Sequence, residues 1–101
     1  MRHPHVRAEV SLFATSAGGR SGPTPEVGRY GCPMNLDGEY FDAFFDLAET
    51  GPISPGQTVT ASMAFLSPEL VIPRMAAGKR FSLWEGKMIA LGRVLSVHPD
   101  A

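Results

Sequence analysis

The chain is short of several things, and each shortage excludes something. It has one cysteine, Cys32, in 101 residues. No internal disulfide can form, and a lone thiol suits a reducing compartment, so a cytoplasmic location is expected. Excess positive charge is also missing. Nine Lys and Arg stand against ten Asp and Glu, for a formal net charge of −1. That balance argues against affinity driven mainly by phosphate contacts, although it leaves room for a local basic patch. No apolar run is long enough to cross a bilayer, so no membrane partner is expected. The opening MRHPHVRAEV carries neither an apolar run nor a small-residue cleavage site, and no signal peptide is expected there. Helical periodicity is the last absence. Eleven glycines and nine prolines break the chain at short intervals. Pro68, Pro73 and Gly78 limit any helix in that connection to about one turn.

What the chain has is alternation. Hydrophobic residues make up 44% of it, enough for one domain with a modest core. In Thr58–Leu66, Val59, Ala61, Met63 and Phe65 share one face. Val6, Ala8, Val10 and Leu12 share a face of Val6–Phe13. Phe41, Ala43, Phe45 and Leu47 do so in Glu39–Leu47. A period of two with one apolar face is the pattern of a half-buried strand. Pro55-Gly56 and the Ser16–Arg20 stretch read as turns. Ser21–Gly38 reads as a long Pro/Gly-rich loop with a short strand near Arg29–Tyr30.

The sharpest signal closes the chain. Arg80–Glu85 and Met88–Val97 flank Gly86-Lys87, which fits a two-residue type II′ hairpin. The register then sets Glu85 opposite Met88, Leu83 opposite Ala90 and Phe81 opposite Gly92. It also pairs Trp84 with Ile89 and Ser82 with Leu91. The first set mixes large and small side chains, as the inside of a tight barrel requires. The second set puts Trp84, Ile89 and Leu91 outside as an apolar stripe, with Phe13 or Phe44 as candidate extensions. These elements predict an all-β domain over residues 6–97, a small closed antiparallel barrel, with residues 1–5 and 98–101 as tails.

Three segments in order, VRAEVSLFATSAGGR, PGQTVTASMAFLSP and GKRFSLWEGKMIALGRVLSV, resemble the third, C-terminal domain of elongation factor Tu. The resemblance covers nearly the whole chain and implies a six-stranded antiparallel barrel here standing alone. No Gly-x-x-x-x-Gly-Lys-Ser/Thr occurs, so no GTP binding and no cofactor are expected. In that family the domain touches the T-stem backbone of aminoacyl-tRNA and packs against protein partners. Matched residue by residue, the RNA-facing positions are Arg20, Ser21, Ser67, Glu85 and Lys87. Arg20 and Glu85 keep the family's residue types. Ser21 and Ser67 stand where His and Lys are frequent, and Gly86-Lys87 shortens a Gly-Gly-Arg.

Other clusters carry bland chemistry. Cys32 with His3, His5 and His98 matches no zinc spacing, so no metal site is expected. Asp37, Glu39, Asp42 and Asp46 read as solvated strand charges rather than acid/base machinery. No nucleophile, base and orienting group fall together, and no enzyme activity is expected. Two functions follow. One is a non-enzymatic, translation-related binding module docking a protein partner, or a second copy of itself, through Trp84, Ile89 and Leu91. The other is RNA binding through basic residues, drawn from Arg20, Arg29, Arg74, Lys79, Arg80, Lys87 and Arg93.

Overall fold

A computed structural model describes residues 4–25 and 28–98. Six strands form a closed antiparallel barrel: β1 (Val6–Leu12), β2 (Arg29–Leu36), β3 (Glu39–Asp46), β4 (Thr58–Phe65), β5 (Arg80–Trp84) and β6 (Met88–Val97). Around the barrel the order is β1-β4-β3-β2-β5-β6, and β6 closes back onto β1. Alternation sets what lies inside. Val6, Ala8, Val10 and Leu12 of β1 are buried, as are Ala43 and Phe45 of β3 and Ala61, Met63 and Phe65 of β4. Phe81 lies opposite Gly92 and Leu83 opposite Ala90, as the hairpin register predicts. The pairing is a volume match. A Cβ on Gly92 would sit 2.2 Å from Phe81 Cζ, so the ring fills the space a side chain at 92 would need.

The structure corrects the sequence in four places. The first is β2, an eight-residue strand where a long loop is expected. Tyr30, Cys32, Met34 and Leu36 alternate inward. Asp37 (φ 54°) and Gly38 (φ 90°) form the two-residue turn to β3, both in the positive-φ region that a type I′ hairpin demands. Pro33 masks the strand in the sequence. It is tolerated because β2 pairs β5 only at Met34 and Asn35, so Pro33 lies just beyond the ladder that its missing N–H would break.

The second correction is the closing hairpin. Its loop holds three residues, not two, because the Glu85 N–H bonds to the Lys87 carbonyl (2.8 Å). Trp84 then pairs with Met88 instead of Ile89, and Glu85 has no strand partner. Ile89 becomes the extra residue of a β-bulge, which bends the strand and re-aims its side chain. Ile89 is therefore inside, at 1% exposure, and not on the outward stripe.

The third is the exit from β3. Leu47–Thr50 forms a one-turn helix, α1, where strand and turn are expected. The Asp46 side chain accepts the Ala48 N–H (3.0 Å) and caps it. The fourth is His5, assigned to a tail. Its N–H bonds to the Met63 carbonyl (2.8 Å), its carbonyl accepts from His98 N–H (2.7 Å), and its ring accepts the Phe65 N–H (3.0 Å). It therefore extends the barrel ladder. Residues 1–3 and 99–101 of the expected tails lie outside the described residues. The connection after β4 holds a one-turn helix, α2 (Pro68–Val71), and a 3-10 turn (Ile72–Arg74), within the limit its prolines set.

Candidate functional site

Two surfaces gather the residues that the sequence singles out. The first lies where the Gly18-Gly19-Arg20 turn meets the β5–β6 loop. Gly18 adopts φ 90° and closes the preceding 3-10 turn. Gly19 is packed so closely that a Cβ would lie 2.0 Å from the Phe13 carbonyl oxygen. Only glycine allows that approach, and it turns Arg20 toward Glu85. Arg20, Ser21, Glu85 and Lys87 then line one pocket of about 380 Å³, with Thr15 beside them and Ile89 at its floor. Four of the five RNA candidates thus come together. Ser67 does not; it precedes α2 and lines no part of this pocket.

The electrostatics of the pocket are mostly settled within the chain. Arg20 Nη1 donates to Glu85 Oε2 and to the Tyr30 hydroxyl. Its Nε donates to the Gly22 carbonyl (3.1 Å) and its Nη2 to the Pro23 carbonyl (3.2 Å). The Tyr30 hydroxyl donates to the same Glu85 oxygen. Burial and the bond to Glu85 push the Tyr30 phenol well above its ordinary range. Burial also pushes the neighbouring Cys32 thiol up, to about 11, so it is a packed core group and not a reactive thiolate. The Arg20–Glu85–Tyr30 network ties the glycine turn to the hairpin. Lys87 alone among the pocket's cations has no carboxylate partner among the described residues.

The second surface is the outer face of the last hairpin. Trp84 and Leu91 do face outward, Leu91 at 50% exposure. Ile89 drops out, Phe13 of the candidate extensions stays, and two residues the sequence did not single out for this stripe join it. Tyr40 stands edge-on to Trp84, with ring centroids 5.7 Å apart. Met88 pairs with Trp84 across the bulge. Phe13 shares a depression of about 330 Å³ with Leu91. Met88 and Leu91 share another of about 250 Å³. The result is an apolar band from Tyr40 through Trp84, Met88 and Leu91 to Phe13. Tyr40 reaches it because β3 lies two strands from β5, and alternation along one strand cannot reveal that adjacency.

The remaining candidates are dispersed. Arg74 holds Glu39 (2.7 Å) and Asp37, and Lys79 holds Asp37 (2.6 Å). Arg29 lies over the Phe44 ring, 4.7 Å from its centroid. Asp46 caps α1, and Asp42 is exposed on the outside of β3. Asp37 and Glu39 thus serve as charge partners and Asp46 as a cap. Cys32 is sealed inside, the His5 ring stacks on Phe65, and His98 Nε2 lies 2.8 Å from Ser96 Oγ. His3 lies outside the described residues. No protein-family model matches this chain, and no curated protein matches its sequence.

Proposed function

We propose that the chain is a non-enzymatic binding module that docks a protein partner through the outer face of β5 and β6. The band of Tyr40, Trp84, Met88 and Leu91 carries this reading. The core is complete without these side chains, so folding gives no reason to expose them. Contiguous apolar surface on a small domain marks a docking site, and aromatic and methionine side chains are enriched at the centres of such sites. The resemblance to the third domain of elongation factor Tu supplies the translation-related context, because that domain works packed against protein. The six-stranded barrel agrees with that resemblance.

A second reading has its own observation. Arg20, Ser21, Glu85 and Lys87, four of the five positions matched to the resemblance, meet around one pocket, which supports this reading. Against it, Glu85 neutralises Arg20, leaving Lys87 as the pocket's free cation among the described residues. The two readings separate in one experiment: affinity capture from cell extract with and without nuclease, at low and high salt. Protein docking predicts a captured protein that survives nuclease and is lost with Leu91→Glu, a half-exposed position where the substitution leaves the fold intact. RNA binding predicts a nuclease-sensitive ligand that falls off steeply with salt and ignores Leu91→Glu.

A further inference from the structure

The outer face of β5 and β6 carries unbalanced charge. Arg80 and Arg93 are directly opposed across β5 and β6, and both are exposed on the outer side of the barrel. Like charges opposed across a ladder destabilise the sheet. The pair is poorly compensated. Glu9 reaches Arg93 only at 3.9 Å, and among the described residues no carboxylate pairs with Arg80. The other carboxylates along the band are occupied: Asp37 by Lys79 and Arg74, Glu85 by Arg20 and Tyr30. At the opposite end of the band, Lys87 is also without a carboxylate among the described residues. The charge left over around the apolar band is therefore positive, although the whole chain has a net charge of −1.

Arg80 and Leu91 sit between two adjoining depressions. One also holds Phe13, Arg93 and Glu9, the other Met88, Asn35 and the Asp37 that Lys79 and Arg74 already hold. Together they make a groove with cations beside apolar side chains. We propose that this groove takes an acidic, apolar peptide segment of a partner protein. A carboxylate of that segment lies between Arg80 and Arg93, and its apolar side chains lie against Leu91, Phe13 and Met88. This rests on the docking reading above and narrows it. A second copy of the chain is a poor occupant, because it would bring another Arg80 and Arg93 and only the weakly held Glu9 to meet them.

The test is selection of a random linear peptide library on the full chain, with affinities of selected peptides measured by fluorescence anisotropy. Enriched peptides should carry Asp or Glu beside Leu, Ile or Phe. Arg80→Glu should weaken them by about tenfold or more, since it places like charge against the ligand. The same substitution faces Arg93, so the melting temperature should hold or rise. Arg80→Gln gives a smaller loss of the same sign. Enriched peptides without acidic residues, or affinities indifferent to Arg80→Glu, overturn the acidic assignment. If Leu91→Glu still abolishes that indifferent binding, the docking face stands and only the acidic partner falls. If no peptide is enriched, or neither substitution matters, both fall. Dimerisation of the free chain, or tRNA binding, that is lost with Arg80→Glu would also overturn the proposal.

Discussion

Gly92→Ala should destabilise this barrel although strand propensity favours alanine over glycine. Gly92 has ordinary extended backbone, with no positive φ for alanine to violate. The obstacle is Phe81 alone. The new Cβ would stand 2.2 Å from Cζ, 2.3 Å from Cε2 and 2.8 Å from Cε1 of a ring that is 5% exposed. Normal contact begins near 3.4 Å, so the ring must withdraw by about 1 Å into a packed interior. Overpacking of this kind costs about 1–3 kcal/mol, and an overlap this deep belongs in the upper half of that range. At about 4–8 °C per kcal/mol for a domain of this size, the melting temperature should drop by about 10–20 °C. Urea unfolding followed by Trp84 fluorescence reads the same loss as a lower midpoint with an unchanged slope. Phe81→Leu removes the ring and leaves a cavity, so it is destabilising alone. Combined with Gly92→Ala it should cost less than the sum of the two, with a coupling of about 1 kcal/mol or more. Gly31→Ala is the control. Its Cβ would meet the side chain of Phe44 at 3.0 Å, a much shallower overlap against a half-buried ring on the outer face. A Gly92→Ala variant within about 0.5 kcal/mol of the parent would refute the register, the inward ring and the reasoning together.

Two further expectations concern the buried network. Cys32 keeps its proton to about pH 11 in the folded chain and loses it earlier when unfolded, so its contribution is complete at neutral pH and disappears as pH climbs toward 11. The stability advantage of the parent over Cys32→Ala should shrink across that alkaline window, by at most about 1.4 kcal/mol for each pH unit climbed. A difference that stays flat from neutral pH upward would show the thiol to be exposed. Glu85→Ala leaves the buried Tyr30 hydroxyl and Arg20 without their carboxylate, at about 2–3 kcal/mol. Arg93→Gln breaks an exposed 3.9 Å pair and also relieves the like charge of Arg80 opposite, so it should stay within about 0.5 kcal/mol by the same urea titration. Equal losses in the two would mean that the network contributes no more than a surface ion pair.

The sequence by itself determined the strands that alternate cleanly and the inward side of each. Val6–Leu12, Thr58–Phe65 and Met88–Val97 stand at or within one residue of where their period of two puts them. Pairing of Phe81 with Gly92 and Leu83 with Ala90 was legible as well, because a tight barrel must oppose large with small. The β2 strand was missed: Tyr30, Cys32, Met34 and Leu36 alternate and Asp37-Gly38 can turn, but the prolines and glycines of the segment, Pro33 among them, make it read as a loop. Only the tertiary structure revealed that the β2–β5 ladder ends beside that proline. The bulge at Ile89 was beyond reach for the same kind of reason. Glu85 is drawn out of the strand by Arg20 and Tyr30, 65 and 55 residues away in the chain, and that removes one residue from the register. The docking face likewise needed the fold. Trp84, Leu91 and the opposed Arg80–Arg93 pair follow from one hairpin, but the meeting with Tyr40 and Phe13, and the ion pairs that leave those arginines with spare charge, come from strands brought together by barrel closure. Alternation is a local property of the chain, while adjacency and charge balance belong to the closed sheet.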